Sequence, residues 1–327
     1  MTAINEMLQQ PFGQAIGWAL LQFVWQGTLI ALMTGGLLTA LRRSGPDVRY
    51  VVSTIALALM LTVPVVTVVQ AVETMTSSAP VPEGQRQAPA AATASSDAEP
   101  AAPPSVSSAP APEAAPALAI PVSWSVDEWL PVFVSVWLAG VVLLTLRLFS
   151  GWLWVQRMKS HGARPAPEAL QSAARRLMRQ LHIGRGVRLL ESTNVAVPTV
   201  IGWLKPVVLL PASALAGLAP SQMEAILAHE LAHIRRHDYI VNLLQTVVET
   251  LLFYHPAVWW LSRRIRAERE HCCDDLAVSL CGDPVAYAAA LAELEGLRST
   301  TGDLVLAATG GSLLQRVRRL LGSAQGS

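Results

Sequence analysis

The sequence predicts a mainly α membrane protein: three transmembrane helices followed by an α+β unit that carries an apolar helical hairpin. Three observations predict it. Hydrophobic residues make up 52% of the 327 positions and charged residues only 14%, whereas soluble domains carry about a quarter charged. Three long runs contain no charge at all. After the third run, helix-period and strand-like segments alternate instead.

Residues 1–73 hold the first two spans. No residue from Phe12 to Leu41 is charged, and Arg42-Arg43 end the run. About 20 apolar residues cross a bilayer core, so the run is long enough. Trp18 and Trp25 are amphipathic and suit an interface. A signal peptide has a positive start and a shorter apolar core, so this run reads as a retained span. A second uncharged run extends from Tyr50 to Val72. Pro64 within it is tolerable in a membrane helix.

Residues 74–127 are rich in Ala, Pro and Ser. Such a stretch buries too little surface to offset its ordering entropy, so a disordered linker is expected. Residues 128–155 hold the third span, with an uncharged run from Trp129 to Leu146 closed by Arg147. Arg42, Arg43 and Arg49 lie between the first two spans, and Arg157 and Lys159 follow the third. The stretch between spans two and three is mostly acidic in its charges. The positive-inside rule then places the N-terminus and linker outside and residues 156–327 in the cytoplasm.

Within 156–327, Leu170, Ala174, Leu177 and Leu181 recur at helical spacing, so residues 164–183 read as an amphipathic helix. Gly184 and Gly186 stop it. Val187 to Glu191 reads as a strand. Pro206 and Pro211 bracket Val207-Val208-Leu209-Leu210, which predicts an edge strand. Such an edge can pair with an extended peptide. Ser221 and Glu224 predict a capping box for the next helix.

That helix carries His229-Glu230-Leu231-Ala232-His233. Histidines four apart share one helix face and can bind one metal. Glu230, beside the first of them, is placed as general base toward water. A catalytic zinc takes three protein ligands and keeps one position open. His237 continues the series, but eight residues of helix rise about 12 Å, too far for one ion shared with His229. Glu270 is the better third ligand. Asp274, one turn on, is placed to accept the other ring N–H of a ligand histidine. Cys272 and Cys273 are alternative soft ligands, although successive helix positions face apart. His255 and His271 are candidate stabilisers of a developing oxyanion.

The stretch 239–262 is nearly uncharged and is split by Pro256. A fourth crossing there separates His233 from Glu270 by a bilayer. A hairpin that enters or packs on the membrane and returns to the same side is therefore expected.

The HELAH sequence, then Arg236, Asp238 and Asn242, then HPAVWW and REHCCDD, resemble the membrane metallopeptidases of the BlaR/MecR antirepressor type. Pro198, Gly202, Lys205-Pro206 and Leu210-Pro211 are similar too. The resemblance implies a gluzincin-like protease domain with zinc at positions matching His229, His233 and Glu270, and Glu230 as base. It also implies a bacterial inner membrane location. The best-known sensors of this type carry a further span and a penicillin-binding domain after the protease. This sequence stops at Ser327, so β-lactam sensing is not expected to carry over. The signal arrives otherwise, or the chain is truncated.

The reading is thus a zinc endopeptidase that cuts a protein or peptide, such as a transcriptional repressor, at the cytoplasmic face of the bilayer. The net charge of +1 gives no field for nucleic acid. Two rivals stand: a housekeeping quality-control protease, and a non-catalytic scaffold with a structural metal. The scaffold has no use for Glu230.

Overall fold

The computed structural model of the chain describes residues 11–77, 126–160, 163–202, 206–300 and 306–324. The linker expected over 74–127 lies for the most part outside them. Three long helices come first: α1 (Pro11–Ala40), α2 (Pro46–Ser77) and α3 (Val126–Ser160). The segments Phe12–Arg43, Pro46–Thr74 and Trp129–Trp154 are long and apolar enough to cross a membrane, and each contains one of the three uncharged runs. Their outward faces expose Leu32, Met33, Ile55, Val136 and Leu143. A contiguous apolar surface of that extent belongs against lipid or protein, not water.

The second half opens with a short strand, β1 (Ala163–Pro165), and an amphipathic helix, α4 (Glu168–Gln180). Helix α4 buries Leu170, Ala174 and Leu177, and Leu181 is buried just beyond it. Strands β2 (Arg188–Ser192), β3 (Thr199–Ile201) and β4 (Val207–Pro211) complete a four-stranded sheet in the order β1-β2-β4-β3. Only β2 and β4 run parallel; β1 and β3 pair antiparallel with their neighbours.

Strand β4 is therefore internal, not the expected edge, and all five of its residues are buried. A proline bars pairing only through the N–H it lacks. Pro206 precedes the strand and Pro211 ends it, so Val207 to Leu210 stay free to bond on both sides. Among the described residues, the edge strand beside the candidate site is β3 instead, its three residues half-buried.

A short helix, α5 (Ala212–Gly217), leads to α6 (Pro220–Arg236), which carries His229 and His233. Its start differs from the expected capping box. Pro220 occupies the first turn, Ala219 is the N-cap, and Gln222 Oε1 accepts from the Ala219 N–H at 2.8 Å. Ser221 lies inside the helix, and Glu224 pairs with Arg176 on α4.

His237 ends α6 in the left-handed region with φ 58°, and α7 (Asp238–Leu251) starts at once. His255 then caps α8 (Pro256–Cys281), its ring accepting from the Ala257 N–H at 3.2 Å. Helices α7 and α8 fold back on each other across a short turn at 252–255, and neither is among the helices that qualify to cross a membrane. Two further helices, α9 (Pro284–Thr300) and α10 (Leu306–Ala324), close over the far end of α8.

The hairpin's tip docks between the long helices. Tyr254 donates to the Leu20 carbonyl at 3.0 Å, and Trp137 donates to the Leu251 carbonyl at 2.7 Å. The His255 ring lies against Gly27, where an added Cβ lands 2.8 Å from Nε2.

Two apolar cores result. One joins α4, the sheet, α6, α9 and α10 through residues such as Leu177, Leu210, Leu227 and Tyr287. The other joins α1 and α2 to the hairpin through Phe23, Leu57, Met60, Leu252 and Leu261. Helix α8 runs from the second core into the first, since Leu261 and Ile265 belong to one and Ala277 to the other.

Candidate metal centre

Helices α6 and α8 meet with His229, His233 and Glu270 facing each other. One donor atom from each falls within a 4.8 Å group. His229 Nε2 lies 3.4 Å from Glu270 Oε2, and His233 Nε2 lies 3.8 Å from Glu270 Oε1. The two imidazoles are perpendicular, with ring centroids 4.9 Å apart. Two ligands held tetrahedrally about 2.1 Å from one zinc sit about 3.4 Å from each other. The spacing therefore fits a zinc ion with little rearrangement. Two imidazole nitrogens and one carboxylate oxygen are also a recurrent catalytic zinc set that leaves a fourth position open.

The far nitrogen of each imidazole is held by a carboxylate. His233 Nδ1 lies 2.8 Å from Asp238 Oδ2. His229 Nδ1 lies 2.9 Å from the Tyr287 hydroxyl and 3.3 Å from Asp274 Oδ1, while Tyr287 donates to Asp274 at 2.8 Å. With its own proton given to Asp274, Tyr287 meets His229 as an acceptor, so His229 Nδ1 is the donor in that contact. Both rings therefore carry a proton on Nδ1 and turn Nε2 toward the cluster, the atom a metal ion would take. Arg316 of α10 completes the arrangement. It makes a two-pronged bond to Asp274, Nε to Oδ2 at 2.9 Å and NH2 to Oδ1 at 2.6 Å, and stands 3.3 Å from Glu270.

Burial alone raises a carboxyl and lowers an imidazolium. At Glu270 burial is outweighed by the bond from His229 and by the charges of His229, His233 and Arg316, which hold it at about 2. At His229 burial is outweighed by hydrogen bonds to Asp274 and Glu270, which lift it to about 9. Binding of a divalent cation competes with that proton and releases it.

A cavity of about 1130 Å³ opens over the cluster. Glu230 lines it beside His229, His233 and Glu270. Strand β3 supplies Thr199, Val200 and Ile201 to one wall, and α7 supplies Ile240 and Leu243 to another.

The structure thus brings together His229, Glu230, His233, Glu270 and Asp274. It does not bring His255 or His271 to the cavity. His255 Nδ1 accepts from Ala257, so its Nε2–H donates to the Val24 carbonyl at 3.0 Å. His271 is buried on another face of α8, with Nδ1 3.6 Å from Glu268. Neither can reach a developing oxyanion. Cys272 and Cys273 are buried. Cys273 does touch His233 Nδ1 at 3.3 Å and belongs to a second donor group with His233 and Asp238. Burial, and then the charges of Asp238 and Glu270, push its thiol far above its ordinary range, so the thiolate a metal needs is disfavoured.

Sequence reasoning assigned no role to Asp238, Tyr287 or Arg316. Asp238 carried a signal, an acid directly after a helix break and five residues from His233. Tyr287 and Arg316 carried none, because each approaches through a separate helix.

Three membrane-length helices and a partly buried His/His/Glu cluster beside a cavity define a membrane protein with a candidate metal centre. The chain belongs to the family described as BlaR1 peptidase M56, whose model matches residues 22–320. That membership places it among the metallopeptidases. It is 22% identical over 189 residues to the Regulatory protein BlaR1 of Bacillus licheniformis, covering 57% of this chain and 31% of that one. It is 30% identical over 83 residues to the Methicillin resistance mecR1 protein of Staphylococcus aureus, covering 25% of this chain and 14% of that one. The chain therefore spans a third or less of the curated relatives it matches.

Proposed function

We propose that this chain is a zinc-dependent membrane endopeptidase of gluzincin type that cleaves a regulatory protein, such as a transcriptional repressor, at the cytoplasmic face of a bacterial inner membrane. The observation that carries the reading is the convergence of His229, His233 and Glu270 within 4.8 Å beside Glu230 in one cavity. The regulatory role draws on the relatives, one of which is named a regulatory protein.

His229, His233 and Glu270 would hold the zinc. When bound, zinc supplies Lewis acidity that polarises a carbonyl and makes water easier to deprotonate. Glu230 takes a proton from the attacking water and delivers it to the leaving amine. Asp274 and Asp238 keep the imidazoles in the Nδ1–H tautomer. Residues 156–327 form the protease domain, and Val200, Ile201, Ile240 and Leu243 give the cavity apolar surface against which substrate side chains can pack.

Two observations support a shared side for the site and the first basic loop. Asp47 pairs with Arg236, and Arg49 pairs with Glu268. The start of α2 therefore lies at the site's level, where the positive-inside rule puts the cytoplasm. Contacts of the hairpin tip with Leu20 and Val24 support an insertion that dips into the bilayer and returns. Leu20 lies about 30 Å along α1 from Arg42 at 1.5 Å per residue.

The test is Glu230→Ala in purified detergent-solubilised protein. Loss of proteolysis with zinc content retained is expected; full activity in that variant overturns the reading. A proteomic comparison of cells carrying the native chain and Glu230→Ala then identifies the substrate. Bound zinc without turnover in the native protein favours the scaffold rival.

A further inference from the structure

Tyr50 belongs to a membrane-length helix, yet its hydroxyl points at the candidate metal centre. It donates to Asp238 Oδ1 at 3.2 Å, and the other oxygen of the same carboxylate lies 2.8 Å from His233 Nδ1. Both Tyr50 and Asp238 are buried, at 7% and 5% exposure. Water therefore cannot readily replace either bond. Arg236 closes the arrangement from above. Its guanidinium carbon sits 4.9 Å over the Tyr50 ring, its Nε is 3.6 Å from Asp238 Oδ1, and it pairs with Asp47 one turn before Tyr50.

A carboxylate that holds one imidazole has freedom to rotate about its own side-chain bonds. Fixing its second oxygen removes that freedom and so fixes the imidazole plane. The partners available to Oδ1 are Tyr50 and Arg236, and both are themselves tied to the first turn of α2. We infer that Tyr50 is a positioning residue: through Asp238 it aims His233 at the metal, and the second membrane helix is thereby a structural part of the centre. Any shift of α2 against α6 lengthens the Tyr50–Asp238 bond and loosens His233. This inference rests on His233 being a zinc ligand.

The experiment measures zinc affinity of the full chain in detergent by competition with a chromophoric chelator. It compares the native protein, Tyr50→Phe, Asp238→Asn and the double variant. Tyr50→Phe keeps the ring under Arg236 and removes only the hydroxyl. Loss of a group that supports a metal ligand typically costs 10–100-fold in affinity. Tyr50 acts one bond further out, so about 3- to 10-fold weaker zinc binding is expected, with little further loss when the change is added to Asp238→Asn. Unchanged affinity in a folded Tyr50→Phe protein overturns the inference. So does an effect of the same size in both backgrounds, because that is the signature of a role not routed through Asp238. Native protein that binds no zinc removes the metal-centre reading itself, a different outcome from a silent Tyr50→Phe.

Discussion

Replacing Arg49 with Met tests how firmly the second membrane helix is fastened to α8. Glu268 is fully buried, and Arg49 grips it with both arms of its fork: Nε to Oε1 at 3.0 Å and NH2 to Oε2 at 2.9 Å. Burial raises the Glu268 carboxyl, but the nearby His271 ring, the bond from Arg49 and the charges of Arg264 and Arg49 outweigh it, and it falls from 4.5 to about 2. At about 1.4 kcal/mol per pH unit, the cluster as a whole contributes about 3 kcal/mol. Stranding a buried charge costs about 3–5 kcal/mol. Arg264 remains 2.8 Å away in the variant, so the expected loss is smaller, about 2 kcal/mol. That is about 4–8 °C in apparent melting temperature if the shift scales as in domains of 150–250 residues. Adding Glu268→Gln removes the stranded charge, so the double variant should regain part of the loss. The pH dependence follows from the same site. A depressed carboxyl stabilises fully above pH 4.5 and stops doing so as the pH falls through about 2. Arg49→Met raises the folded-state value, so the variant should lose less on acidification across that window than the native protein does. The assay is thermal unfolding of the detergent-solubilised chain followed by tryptophan fluorescence. A loss under about 0.5 kcal/mol, the scale of an exposed ion pair, refutes the argument, as does a double variant no better than the single one.

Chelation should destabilise the native chain by about 4 kcal/mol when zinc had been present at about a thousand times its Kd. The melting temperature should drop on adding chelator and be restored by zinc, and His229→Ala should show neither response. Gly27→Leu should force the His255 ring away from α1, since even the first added carbon lands 2.8 Å from its Nε2. Overpacking of that kind costs about 1–3 kcal/mol, and increased proteolytic nicking near residues 251–256 is the readout.

The sequence was most legible where one element decides the matter. The first uncharged run stops at Arg42-Arg43 and α1 closes just before it at Ala40, whereas α2 and α3 run on past Glu73 and Arg147 to Ser77 and Ser160. His229 and His233 share a face because the helix period puts them there. Excluding His237 needed only the helix rise, although the chain adds a second reason by turning left-handed at that residue. Glu270 required one inference beyond the local, that an apolar stretch interrupted by His255-Pro256 folds back. Placement of the strand between Pro206 and Pro211 failed because a proline's restriction was extended to the residues between. The oxyanion candidates failed for another reason. A histidine near a motif in sequence says nothing about which helix face it occupies, and His271 is one position from Glu270 yet turns toward Glu268.

What could not be read was the support. Asp238, Tyr287, Arg316 and Tyr50 approach two imidazoles from four different helices. No spacing rule links residue 50 to residue 238, or residue 316 to residue 274. Their meeting depends on two apolar cores that share α8, one built with the membrane helices and one with the sheet. That shared helix also explains why the candidate donor cluster was legible in the sequence and its supports were not. Glu270 stands near the middle of α8, between Leu261 and Ile265 in one core and Ala277 in the other. A rotation of α8 imposed by either core moves the Glu270 carboxylate relative to His229 and His233. The donor spacing of 3.4 Å and 3.8 Å leaves little tolerance for such a rotation. The donor geometry is therefore a property of both cores packing at once, and a change deep among the membrane helices has a direct mechanical route to the candidate metal centre.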